Sequence, residues 1–218
     1  MNTCTLIGTG DEIEEVNLVE FRLLFEGTLP SRGSASEKHA IRRLFHPQLR
    51  QLWGVNPNLR HLAIHKGNDG TLGLSEEEKF AKGIAAIGKN WNRAGYNLVP
   101  LVTPEMAARC SLDIVLLRPD HGRFILKNGD IDNKLKTLFD ALRIPDGAAE
   151  TSGAIPQSDE DPLFCLLQDD GLISEIKVTT DQLLMLPNER LVRADDAHAI
   201  IHVRLNHKNA RTFDNYLG

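Results

Sequence analysis

The clearest repeating pattern of apolar residues in the chain runs from position 131 to position 142. Apolar side chains recur there at the spacing of one face of an α-helix, at Ile131, Leu135, Leu138, Phe139 and Leu142. Asp132, Lys136 and Asp140 follow one another four positions apart along the edge of that face. The pattern therefore predicts an amphipathic helix that packs on a core and carries a row of charges beside the packed face.

Alternation of apolar and polar residues predicts strands elsewhere in the chain. The segments with strand patterns are 16–25, 97–102, 112–117, 173–178 and 199–205. The third is nearly continuous in apolar residues, which is typical of a central strand. Pro100 restricts the second to an edge strand or an extended connection. Weaker patterns predict short strands at 59–64 and 124–126.

Two capping boxes predict where further helices begin. Ser34 with Glu37, and Ser75 with Glu78, have the spacing at which each side chain bonds the backbone N–H group of the other residue. We expect the first of these helices to break or restart at Pro47, because proline lacks the N–H group and clashes with the preceding turn.

Together these elements predict an α/β protein of the α+β type, a single domain in which helices pack on a mixed sheet of about four to six strands. We expect residues 1–15 to be a flexible N-terminus, residues 16–206 to form the domain and residues 207–218 to be a polar C-terminal tail. Residues 145–162 lack periodicity and are rich in Gly, Ala, Ser, Pro and acids, which predicts a mobile acidic loop.

The composition predicts a cytoplasmic protein without a membrane partner. No apolar run approaches the length of a membrane span, and the N-terminus lacks the basic start of a secretory signal. Cys4, Cys110 and Cys165 are odd in number and far apart, which favours reduced thiols over disulfides or a zinc site.

The net charge of −5 works against DNA binding, because contacts of Lys and Arg with phosphates supply much of the affinity for DNA. The charge is unevenly distributed, since no Lys or Arg occurs from position 144 to position 176. Basic residues are frequent just before this stretch, at Arg118, Arg123, Lys127, Lys134, Lys136 and Arg143. A local basic surface on an acidic protein is therefore compatible with the sequence.

Asp130 and Asp132 stand two positions apart at the start of the predicted helix. If Asp130 lies in extended chain or at the helix cap, the two carboxylates meet on one side. Such a pair repels unless a cation lies between its members, and hard oxygen ligands suit Mg²⁺ or Mn²⁺, which activate phosphates and water. A simpler interpretation is that Asp130 is only an N-cap and Asp132 only a first-turn acid that favours the helix dipole.

Two segments, in this order along the chain, resemble a known enzyme family. Residues 130–136 (DIDNKLK), followed by residues 139–142 (FDAL), resemble the signature of the RusA-like crossover-junction endodeoxyribonucleases. Residues 167–173 (LQDDGLI) resemble the element that carries the third acid of that family. The resemblance implies a Mg²⁺-dependent, homodimeric resolvase of four-way (Holliday) DNA junctions that acts in DNA recombination and repair, with Mn²⁺ as a substitute metal.

The resemblance also implies the site residues. Asp130, Asp132 and Asp170 match the catalytic acids that ligate the metal, and Lys136 matches the active-site lysine. Asp169 is the reserve candidate for the third ligand, because spacing does not separate adjacent aspartates.

Other polar residues have secondary roles in this hypothesis. Asn133 is a candidate to orient a metal ligand through a hydrogen bond. The DNA-binding candidates are Arg32, Lys38, Arg42, Arg43, Arg123, Lys127, Lys134 and Lys177.

Two other functions fit the same residues. The chain departs from the family in having only Lys127 where a basic run often precedes the first acids, and in its long insertion at 145–162. These departures favour a non-catalytic protein of the same fold that binds branched DNA. An acidic surface also suits a metal-dependent hydrolase of small phosphate compounds.

Overall fold

A computed structural model describes residues 16–67, 73–106, 108–119, 130–184 and 196–207 of the chain. The strands in this part are β1 (Val16–Thr28), β2 (Leu98–Val102), β3 (Ala108–Arg118), β4 (Leu163–Leu167), β5 (Ile173–Gln182) and β6 (Asp196–His207). The α-helices are α1 (Ala35–Val55), α2 (Pro57–Lys66), α3 (Glu76–Asn90) and α4 (Asp130–Leu142). The expected N-terminus 1–15, the strand at 124–126 and the tail beyond residue 207 lie outside the described residues.

The strands form two sheets of different size. The larger sheet has the order β1–β6–β3–β5, in which only the β3–β5 pair is parallel. The smaller one pairs β2 and β4 in parallel. The α+β class, the mixed sheet, the central position of β3 and the edge position of the proline-containing β2 are therefore confirmed.

The larger sheet buries one face and exposes the other. Its buried residues include Val19, Leu23, Leu112, Ile114, Ile201 and Val203, which join a single core with α1, α2, α4 and the smaller sheet. Residues that alternate with them carry charge, as Glu20 and Arg22 do on β1. This alternation is the pattern from which the strands were predicted, because successive side chains of a strand point to opposite faces.

Both capping boxes are present at the predicted helix starts, but α1 does not end at Pro47. The side chains of Ser34 and Glu37 exchange hydrogen bonds with each other's backbone, and α1 then continues to Val55. Pro47 lies on the exposed side of α1, where water can bond the carbonyl that loses its N–H partner. Buried Phe45 and Leu49 on either side hold the helix against the core, so the predicted break is wrong.

The predicted short strand at 59–64 is also wrong, because this segment belongs to helix α2. Asn56 caps α2 by accepting a hydrogen bond from the N–H group of Leu59 at 3.1 Å, and Pro57 occupies the first turn. Both residues are typical of helix starts. Leu59, Leu62 and Ala63 are then buried at helical spacing.

Helix α4 buries the face that its sequence pattern predicted. Leu138 and Leu142 are fully buried in the core, and Ile131, Leu135 and Phe139 pack against it. Two polar contacts fix the helix to the loop that follows β1. Lys134 donates from Nζ to the carbonyl of Leu29 at 2.7 Å, and Thr137 Oγ1 accepts from the N–H group of Gly33 at 3.0 Å.

Arg42 of α1 binds the C-terminal end of α4. Its guanidinium donates to the carbonyls of Arg143, at 2.9 Å, and Asp140, at 2.8 Å, while Nη1 lies 3.1 Å from Nδ1 of His39. The side chain is only 2% exposed. The last carbonyls of a helix have no partner within the helix, and Arg42 supplies donors for two carbonyls at this end.

The acidic segment 145–162 is held in place by ion pairs and a hydrogen bond. Glu150 accepts from Arg143 at 2.7 Å, and Glu160, which is 3% exposed, pairs with Arg43 at 2.6 Å. The carbonyl of Asp159 lies 2.9 Å from Nε2 of His46. Basic residues of α1 and of the end of α4 thus bind two of its carboxylates, while the expected mobility of the segment stays a prediction. No described helix is both long and apolar enough to cross a bilayer.

Replacement of Arg42 by methionine tests its role as the cap of α4. We expect the free energy of unfolding to fall by roughly 2–4 kcal/mol, because two partly buried carbonyl groups lose their donors and each such loss costs about 1–2 kcal/mol, the lower part of the range for buried groups. Urea unfolding of Arg42→Met and of the exposed control Arg50→Met measures the difference. Equal stabilities of the two variants would contradict the assignment.

The buried His39 makes stability depend on pH. Burial, with the nearby charges of Arg42 and Arg43, lowers the pKa of His39 to about 4. Between pH 6.5 and pH 4 the unfolded chain therefore binds more protons at this residue than the folded chain does. Stability from this source is complete above pH 6.5 and is lost as the pH falls, by at most about 1.4 kcal/mol for each pH unit.

Urea unfolding of wild type and His39→Gln between pH 7 and pH 4.5 isolates this contribution. We expect the stability of the wild type to fall more steeply over this range, because glutamine does not titrate. Parallel curves would show that His39 takes up its proton as readily in the folded chain as in the unfolded one.

Candidate functional site

Helix α4 begins with the motif residues predicted to be functional. Its first residue is Asp130, whose side chain lies outside the described part of the structure. Asp132 and Lys136 are exposed and stand one turn apart, on the same side of the helix. Within the described residues, neither side chain forms a hydrogen bond or an ion pair. Asn133, which lies between them in the sequence, is half-buried.

The second predicted element forms a tight turn between β4 and β5. We call residues 168–172 the acid turn. Asp169 accepts a hydrogen bond from the N–H group of Gly171 at 2.8 Å and thereby caps a short 3-10 helix, Asp170–Leu172. Asp170 is exposed, and its carboxylate forms no hydrogen bond or ion pair with the residues described. The carboxylate of Asp169 therefore has a structural partner, whereas that of Asp170 is available for a ligand.

Helix α4 contacts the 3-10 helix of the acid turn directly. Leu172 packs against the same core as Ile131 and Leu135, so the two predicted elements are neighbours in the fold. The described residues nevertheless contain no group of three or more His, Cys, Asp or Glu that could hold a metal ion. Asp130, the expected third carboxylate, is not among the described side chains, and the metal site stays a prediction.

The outer face of the larger sheet carries polar pairs that sequence reasoning missed. On the parallel strands β3 and β5, Ser111 Oγ donates to Glu175 at 3.2 Å and Lys177 Nζ donates to Asp113 at 2.8 Å. The hydrogen bond from Lys177 lowers the pKa of Asp113. The two residues of each pair are 64 positions apart in sequence, so only the strand register could have revealed them.

Two of the predicted DNA-binding residues are buried, which corrects their assignment. Arg42 is 2% exposed and Lys134 is 3% exposed. Both donate to backbone carbonyl groups inside the fold. A buried cation of this kind does not reach a phosphate of bound DNA.

The other basic candidates differ in their partners. Lys38 pairs with Asp140 at 2.7 Å, and Arg43 and Lys177 also form ion pairs. Arg32 is exposed, and no ion pair engages it within the described residues. Arg123 and Lys127 lie outside the described part. Among the described DNA-binding candidates, Arg32 is thus the one that is exposed and has no ion pair with another described residue, and the predicted active-site residue Lys136 is in the same state.

Comparisons of the chain with protein-family models, with curated proteins and with solved structures find no match. The family resemblance therefore rests on the residues of α4 and of the acid turn alone. These residues combine exposed carboxylates with one exposed lysine, a set that suits a divalent cation and a phosphate.

Proposed function

We propose that this protein is a Mg²⁺-dependent endonuclease that cuts four-way DNA junctions by hydrolysis of a phosphodiester. The observation that carries the proposal is the motif DIDNKLK at the start of α4, next to the acid turn. It presents Asp132 and Lys136 to solvent one helical turn apart, and Asp170 is exposed on the neighbouring turn.

The chemistry of these side chains suits the reaction. Asp130, Asp132 and Asp170 would hold the cation through carboxylate oxygens. A bound Mg²⁺ supplies Lewis-acid activation of the phosphate and of the attacking water. The ammonium group of Lys136 donates hydrogen bonds to a phosphate oxygen and stabilises the charge that develops in the transition state. Asn133 orients one of the carboxylates.

The ion pairs of segment 145–162 reduce an obstacle to DNA binding. Glu150 and Glu160 are each paired with an arginine, so these two carboxylates repel a DNA backbone less than free ones would. Arg32 and Lys136 then contribute positive charge to the approach of DNA.

We further propose that the protein works as a homodimer in the cytoplasm. A twofold axis would present two equivalent sites to opposite strands of a junction, which is the usual consequence of a closed dimer. Cys110 and Cys165 are buried free thiols, a state that fits a reducing compartment.

Two observations favour a second candidate function, a non-catalytic protein that binds branched DNA. The chain has only Lys127 where a basic run often precedes the first acids of the family, and it carries the long acidic insertion 145–162. A protein of the same fold with these departures would bind a junction and leave it intact.

Cleavage of a labelled four-way junction tests the nuclease directly. We expect symmetric nicks with Mg²⁺ and none with EDTA, because the carboxylates act through the cation. Asp132→Asn should lower the rate by about 100-fold or more, and Lys136→Met by about 100-fold, as when one group that stabilises a transition state is removed.

Matched controls separate catalysis from a general change of charge. Glu76→Gln changes a first-turn carboxylate of α3, and Lys89→Met removes an exposed lysine near the end of the same helix. Both should cut at the wild-type rate. Binding without nicks, with Mg²⁺ or Mn²⁺, would reject the nuclease in favour of the binding protein. Absence of both binding and nicks would favour a hydrolase of small phosphate compounds.

Titration with Mn²⁺ tests the proposed ligands without any substrate. Calorimetry should detect binding to the wild type and at least a tenfold weaker affinity in Asp132→Asn and Asp170→Asn, because each loses a carboxylate oxygen that contacts the ion. Glu76→Gln serves again as the control. Equal Mn²⁺ affinity in all four proteins would exclude Asp132 and Asp170 as ligands.

A further inference from the structure

A cavity of about 320 Å³ lies between α1, α2, α3 and β2. Its apolar walls include Trp53, Ile87, Trp91 and Pro100. The chain contains two tryptophans in all, and both line this one cavity. Small-molecule sites have volumes of roughly 300–1,000 Å³ and are lined mainly by apolar and aromatic side chains, so the size and lining suit a small flat ligand.

Polar groups on the cavity lining restrict the chemistry of that ligand. Asn90 offers an amide that both donates and accepts, Thr103 offers a hydroxyl group, and Glu105 offers a carboxylate. An aromatic lining that also carries donors and acceptors matches a heterocycle that has a polar edge. Nucleobases have this form, and stacking on an aromatic side chain accepts any base because every base has a π-face.

Positive charges accompany the cavity at two points. Lys66 contributes to its lining. The guanidinium of Arg93, which pairs with Asp146 at 3.5 Å, lies over the ring of Trp91, 5.7 Å from the ring centroid. A base that is attached to a phosphate brings negative charge with it, so cations beside an aromatic wall favour a nucleotide over a neutral aromatic compound.

The pairing of β2 with β4 connects the cavity lining to the acid turn. Val102 at the end of β2 pairs with Leu167, and its carbonyl accepts a hydrogen bond from Gln168 at 2.9 Å. Thr103 follows Val102 directly, and Asp170 follows Gln168 by two positions. The backbones of Thr103 and Asp170 therefore lie within roughly 15 Å of each other, at about 3.8 Å for each residue of chain.

We infer that this cavity binds a nucleobase, and that in branched DNA it holds one unpaired base beside the acid turn. The binding of a base follows from the two indole rings and the polar groups of the cavity. The placement in DNA rests on the proposed nuclease function. The held base would position the neighbouring phosphates of the same strand near Asp132 and Asp170.

Tryptophan fluorescence measures occupancy directly, because both indoles line the cavity. The intact protein is titrated in EDTA with adenosine monophosphate, with a single-stranded oligonucleotide, and with an oligonucleotide of equal length whose sugars lack bases. We expect saturable quenching by the first two and none by the third. Absence of quenching by the first two, or equal quenching by all three, would overturn the inference.

Variants of the wall and of the lining localise the ligand. Trp91→Leu should weaken binding of the nucleotide by about tenfold or more through the loss of stacking, with Trp53 left as the reporter. Asn90→Ala changes an exposed side chain and should alter the relative affinities for adenosine and thymidine monophosphates. Phe80→Leu replaces a half-buried aromatic residue of α3 outside this cavity and should bind as the wild type does. Equal affinities of the wild type, Trp91→Leu and Phe80→Leu would place the ligand elsewhere.

The fluorescence titration and the cleavage assay together test the nucleobase site and the nuclease function separately. Quenching by nucleotides without junction cleavage would retain the base site and reject the nuclease. Cleavage without quenching would retain the nuclease and reject the base site. Quenching by free nucleotides but not by the single-stranded oligonucleotide would confirm a nucleobase site and overturn its placement in DNA.

Discussion

The buried guanidinium of Arg42 is the contact on which the arrangement of the candidate site depends. It joins the middle of α1 to the last carbonyls of α4. One residue beyond Arg143, the N–H group of Ile144 bonds the carbonyl of Leu167 at the end of β4, at 2.9 Å. The end of α4 and the start of the acid turn are thus held together, and rotation of α4 would break partly buried hydrogen bonds whose loss is costly.

The elements that could be predicted from the sequence are those whose burial is periodic. The face of α4 and the alternation in β1 and β6 are local signals, because they follow from the repeat of each structure. Pro47 and the segment 59–64 were misjudged for a different reason. Their conformation is decided by core packing of Phe45 and Leu59, and tertiary burial overrides local propensity.

The candidate site could be predicted only in part, since sequence spacing reports neither burial nor local hydrogen bonds. The motif located the exposed Asp132 and Lys136 correctly on α4. It did not distinguish Asp169 from Asp170, because the difference is a cap on the N–H group of Gly171. Lys134 was predicted to be a surface cation that binds DNA, although a hydrogen bond to the carbonyl of Leu29 holds it inside the fold.

The smaller sheet explains why the proposed base-binding cavity and the proposed metal site would lie close to each other. Parallel strands end at the same edge, and ligands of α/β proteins bind beyond the carboxyl ends of such strands. Here β2 ends beside Thr103 of the cavity, and β4 ends at the acid turn. Because Val102 and Gln168 are joined by a backbone hydrogen bond, a base held in the cavity and a phosphate at Asp170 would have a separation set by the sheet, not by flexible side chains. A short rigid link of this kind is what positions a reacting group, because little freedom remains to be lost when the substrate binds.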